Sequence, residues 1–101
     1  MEIIKKSGRY EMLIKNDATW EEYSIVINYL IKKLQLKKDE VQEINDFDSY
    51  YYKFFYSENK IVLSYSNFFG ISVYFFDNNI NSDVQKKVLK SLSEVLSEIP
   101  F

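Results

Sequence analysis

The apolar positions of this chain change their period twice. Tyr10, Met12 and Ile14 alternate with Arg9, Glu11, Leu13 and Lys15, the two-residue period of a strand with one apolar side. Ser7-Gly8 stands between IIKK and this run, and glycine admits the positive φ of a tight turn. Residues 2–15 therefore predict a hairpin or one bent strand. The spacing then lengthens. Trp20, Tyr23, Ile27, Leu30, Ile31 and Leu34 recur every three or four residues, which predicts a helix from Trp20 to Leu36. Thr19 followed by Glu22 supplies a capping box at its start, and Lys37-Lys38 suits its C-terminal dipole. Ile25, Tyr29 and Leu36 lie roughly opposite and read as scattered or loop-covered apolars. The period shortens again after an acidic stretch, in which a short strand can pass through residues 41–44 and Asn45 to Ser49 reads as a turn.

Three strands follow. In the first, Tyr50, Tyr52, Phe54 and Tyr56 share one side, and Tyr51, Lys53 and Phe55 the other. Glu58-Asn59 reads as a turn. Ile61, Leu63 and Tyr65 then alternate with Val62, Ser64 and Ser66. Asn67 to Gly70 turns again, and Ile71, Val73 and Phe75 alternate with Ser72, Tyr74 and Phe76. Connections this short imply an antiparallel meander. Ser82 and Gln85 form a second capping pair. Val84, Val88, Leu89, Leu92, Val95, Leu96 and Ile99 then give the cleanest 3.6-residue pattern in the chain, ended by Pro100.

The element order is β(β)αβββα within one domain spanning residues 1–101. Two amphipathic helices each need an apolar surface, and one antiparallel sheet offers a single face large enough for both. The fold class is thus α+β: a two-layer sandwich, with a meander sheet of four to five strands and two helices on one face. The other face is left open. Lys53 is assigned to it because an unpaired buried ammonium is costly. The open face then carries Tyr51, Phe55, Val62, Tyr74 and Phe76, an aromatic patch larger than folding requires.

Composition removes most chemistry. The 101 residues contain no His and no Cys, which excludes zinc sites and nucleophilic triads built on them. Gly8 and Gly70 are the only glycines, so no glycine-rich phosphate loop exists. Asp46-x-Asp48 offers a carboxylate pair, but two Asp on a turn are ordinarily a solvated Asx turn; no catalytic, metal or cofactor residue is assigned and no enzyme is expected. The net charge of −2 gives no global basic field, and the predicted patch has only Lys53 and Lys60 among its strands, so direct nucleic-acid binding is not expected. The N-terminus has two apolar residues before Lys5, too few for a signal-peptide core, and no segment reaches the ~18 apolar residues of a membrane helix. A cytoplasmic protein with no membrane contact is expected.

The segment DFDSYYY at residues 46–52, followed by IVLSYSNFFGISV at residues 61–73, is similar to a D-S-x-x-aromatic … L-x-polar-N-x-x-G-x-S-apolar layout of small immunity-like domains. In this layout, and in being a small acidic α/β chain without catalytic groups, the protein resembles the immunity proteins of bacterial polymorphic toxin systems, the contact-dependent growth inhibition type being nearest. The resemblance implies a domain that binds a cognate toxin, commonly a nuclease, and blocks it. On that reading Asp39, Glu40, Glu43, Asp46 and Asp48 face basic toxin residues, while Tyr51, Phe55, Tyr74 and Phe76 anchor the contact. The alternative is a homo-oligomeric structural or adaptor domain, such as a homodimer, that uses the open sheet face on itself.

Overall fold

The computed structural model describes residues 1–6, 8–36, 44–46, 49–99 and 101. Among these residues, six strands and two helices follow one another as β1 (Glu2–Lys6), β2 (Arg9–Lys15), α1 (Trp20–Leu34), β3 (Ile44–Asp46), β4 (Ser49–Tyr56), β5 (Asn59–Ser66), β6 (Gly70–Phe75) and α2 (Ser82–Leu96). They build the expected α+β sandwich. All strand pairs are antiparallel, in the spatial order β1-β2-β6-β5-β4-β3. The N-terminal segment is a true hairpin, so Ile3 and Ile4 have a strand of their own. Together with the three-residue β3, this brings the sheet to six strands. β3 begins where the acidic stretch was expected to carry a strand and runs into the predicted Asn45–Ser49 turn.

The two-residue period sorts the sheet cleanly. Met12, Tyr52, Phe54, Ile61, Leu63, Tyr65, Ile71, Val73 and Phe75 are buried on one face. They share one core with Tyr23, Val26, Ile27 and Leu30 of α1 and Val88, Leu89, Leu92 and Leu96 of α2. Each fully buried large side chain contributes roughly 1.5–3 kcal/mol of transfer free energy, so this core is the main favourable term in folding. The Tyr23 hydroxyl keeps its polar end satisfied by donating to the Leu63 carbonyl at 3.2 Å.

The start of α1 is as expected: the Thr19 hydroxyl accepts from the Glu22 amide at 3.2 Å and Glu22 accepts from the Thr19 amide at 3.0 Å. Glu22 also pairs with Lys15 at the end of β2. Gln35 closes the helix in the left-handed conformation, so α1 ends at Leu34, two residues before the end that the apolar spacing suggested. Val26 joins the core in the stripe, whereas Trp20 sits at its rim against the Tyr50 ring, with centroids 4.5 Å apart. Tyr29 is half-buried: its hydroxyl donates to the Val95 carbonyl at 2.9 Å and ties α1 to α2.

At α2 the N-cap is Asn81, which accepts from the Asp83 amide at 2.8 Å. Gln85 is turned inward instead of back to a cap at Ser82. Its amide donates to the Ile80 carbonyl at 2.6 Å and accepts from the Tyr10 amide at 3.4 Å, joining the helix entrance to β2.

Two turns fix the register. The β4–β5 loop is Ser57-Glu58, one residue earlier than expected, between the paired Tyr56 and Asn59. Both loop residues have positive φ, 53° and 66°, as a primed two-residue hairpin turn demands. At the start of β6, Gly70 has φ +76°, and a Cβ built on it would lie 2.1 Å from the Lys15 carbonyl oxygen and 2.3 Å from that of Asn16. Replacing Gly70 with Ala combines a strained backbone with a backbone clash. Gly70→Ala is expected to lower the unfolding free energy by about 2 kcal/mol or more, read from urea denaturation. Conversely, Ser57→Asn with Glu58→Gly places preferred residues in the left-handed turn and is expected to raise stability by about 1 kcal/mol in the same assay.

Candidate functional site

The helices leave one face of the sheet uncovered, and the registers lay it out in rows. Phe55 pairs with Lys60, and the Phe76 amide donates to the Lys60 carbonyl at 3.0 Å. Next, Lys53, Val62, Tyr74, Glu11 and Ile4 follow one another across five strands. The third row is Tyr51, Ser64, Ser72 and Leu13, and the last is Ser49, Ser66 and Gly70. Small side chains at the last two rows make the sheet surface concave there. A hollow of about 320 Å³ lies over Ser64, Ser66 and Ser72, bounded by Tyr51, Tyr74 and the Phe68–Phe69 turn. The Ser64 and Ser72 hydroxyls bond each other at 2.9 Å on its floor.

The sequence-predicted site residues divide. Phe55 and Phe76 are exposed on this face, at 57% and 53%, and Tyr51 is half-buried beside them. Tyr74 lies on the predicted face but is only 8% exposed, and Val62 beside it is buried too. The cover over Tyr74 is Arg9, whose guanidinium carbon sits 3.6 Å from the ring centroid. Arg9 is itself fixed by Glu11, at 3.1 Å, and Lys6 approaches the same carboxylate at 3.9 Å. A cation over an aromatic face contributes about 0.5–2 kcal/mol, more as water is excluded. Tyr74 is therefore the lower half of a stack and not a bare anchor. Asp46 ends β3, its backbone paired with Ser49. Asp39, Glu40, Glu43 and Asp48 lie outside the described residues. Among the described residues, no group of three or more carboxylates is placed to hold a metal ion, and no helix is long and apolar enough to cross a membrane.

Sequence reasoning missed two features. Phe68 and Phe69, in the β5–β6 turn, are 76% and 69% exposed, the most exposed aromatic side chains of the face, and Lys6 lies 5.1 Å over the Phe69 ring. Their signal was an aromatic pair placed in a turn, where packing gives no reason for it. The second is charge. Lys53 and Lys60 both lie over the Phe76 ring, at 4.7 and 4.5 Å, and β2–β6 pairing brings Lys6 and Arg9 to the same surface. Among the residues whose side chains are described, the face carries four cations, Lys6, Arg9, Lys53 and Lys60, with Glu2 and Glu11, although the whole chain is acidic.

Burial pushes the Tyr74 hydroxyl above the usual tyrosine pKa, partly offset by the positive Arg9. A group with a raised folded-state pKa stabilises the fold fully below its unfolded pKa, and that stability is lost as pH rises through the folded value. Unfolding free energy is therefore expected to decline above about pH 10. Tyr74→Phe should show a shallower decline than the unmodified protein in parallel denaturation series at neutral and alkaline pH.

No protein-family model, curated protein or solved structure matches the chain, so the face is interpreted through its own chemistry.

Proposed function

We propose that this is an immunity-type binding domain of the bacterial cytoplasm, which captures a cognate toxin domain and blocks it by contact. The observation that supports it is the uncovered sheet face. One side of the sheet is sealed by two helices, while the other leaves Phe55, Phe76, Phe68 and Phe69 more than half exposed around a concave centre. Exposed rings grouped in this way cost solubility and add nothing to the core, whereas at an interface rigid aromatic side chains supply affinity with little loss of rotamer freedom. The action is binding without catalysis. The acidic residues Asp39, Glu40, Glu43, Asp46 and Asp48 would steer a basic partner region, such as that of a nuclease, during approach. Self-association through the face is the alternative reading, in which the same exposed rings meet a second copy of the chain.

The purified chain is expected to form a one-to-one complex with the toxin domain encoded beside it, measured by calorimetry. Phe55→Ser with Phe76→Ser should weaken that complex by at least about tenfold, whereas Val84→Ser on the exposed side of α2 should not. Asp46→Lys with Asp48→Lys should slow association and alter its salt dependence in stopped-flow measurements. Absence of any complex, or a stable homodimer by light scattering whose formation requires Phe76, would overturn the reading.

A further inference from the structure

Resting on that reading, we infer that the partner meets the open face with an acidic segment, carboxylates alternating with planar or apolar groups, and not with a basic substrate cleft. Glu11 is engaged by Lys6 and Arg9 of its own hairpin. Among the described residues, no carboxylate lies within ion-pair distance of Lys53 or Lys60. Both ammonium groups lie over Phe76, so carboxylates bound beside that ring would meet two cations on one patch. A basic surface laid on the same rows would bring like charges together in a partly desolvated contact, which disfavours it strongly. Beside the lysines, the rings of Phe55 and Phe76 and the shallow serine floor offer apolar and hydroxyl surface for the rest of such a segment.

Single-stranded nucleic acid is the other polyanion that cations and rings on a sheet can hold, by stacking bases on free ring faces. Here the Tyr74 ring is already covered by Arg9 at 3.6 Å and Phe76 is flanked by two lysines. The Tyr74 ring in the middle of the face is occupied, whereas among the described residues no carboxylate is paired with Lys53 or Lys60. That balance favours carboxylates over bases.

The test uses the full chain, with three probes followed by fluorescence anisotropy and by amide NMR shifts: a random copolymer of Glu and Tyr, poly-lysine, and an oligouridylate. The copolymer is expected to bind saturably, to shift the amides of Ser64 and Ser72, and to weaken as salt is raised. Lys53→Glu with Lys60→Glu should reduce its affinity by at least about tenfold, and Lys53→Gln with Lys60→Gln by less. Circular dichroism checks that each variant folds, and the milder pair serves if the reversal does not. No saturable binding, equal binding by both variants, or tighter binding of poly-lysine or oligouridylate would overturn the inference. The neighbouring toxin domain separates the two levels. A complex that forms but ignores Lys53→Glu with Lys60→Glu removes the acidic segment and keeps the immunity reading. Copolymer binding with no toxin complex does the reverse.

Discussion

The architecture depends on the antiparallel ladder between β2 and β6. On one side of it lies a local hairpin and on the other a four-strand meander, and neither alone offers a face wide enough for both helices. The ladder runs from Glu11 opposite Tyr74 to Lys15 opposite Ile71, with an irregularity between Leu13 and Lys15. At its end the backbone of Lys15 and Asn16 comes so close to Gly70 that no side chain can stand there. The local chain direction at this corner is also one that only glycine adopts without strain. One hydrogen atom in place of a methyl group thus allows two separately formed pieces of sheet to become one.

The same junction decides the chemistry of the outer surface. Arg9, Glu11 and Lys6 belong to the N-terminal hairpin, and Tyr74, Ser72 and Phe69 to the meander. Only side-by-side pairing turns them into a stack of carboxylate, guanidinium and ring. Glu11 is nearly buried, and a buried carboxylate is tolerated because two cations compensate it. The face is therefore firm in its middle, where charge and ring are mutually satisfied, and reactive toward partners at its margins, where Phe55, Phe76 and the Phe68–Phe69 turn stand in solvent.

Much of this was legible in the chain because a two-residue period leaves little freedom. Once Lys53 is placed outward, Tyr52 and Phe54 must go inward, and both are buried. The capping pair Thr19–Glu22 was equally readable, since it is a local hydrogen-bond pattern. The pair Ser82–Gln85 has the same spelling and a different outcome: Asn81, one residue earlier, is the better acceptor, and Gln85 finds partners in β2 and at Ile80 that no local rule anticipates. The exposure of Tyr74 and Val62 was misjudged for a related reason. Alternation says which face a residue is on, but what lies over it is a long-range matter, and Arg9 is distant in sequence. The charge of the face was hidden likewise, since composition averages over surfaces that folding separates.

The order of elements along the chain has a kinetic meaning. β4, β5 and β6 are joined by loops of two and three residues, so their pairing closes small loops and is rapid. β2 must wait for β6, with a helix and three strands between them in sequence, and that closure is the slow, non-local step. The apolar stripe of α1 can settle on β4 and β5 once the meander has formed, through Tyr23 against Leu63 and Tyr65 and Trp20 against Tyr50, whereas Met12 of β2 has no core to enter until β6 pairs with it. The nascent N-terminal half is thus the aggregation-exposed part of the molecule. The pairing of β6, with Gly70 at its head, is the event that withdraws the apolar side of β2 from solvent.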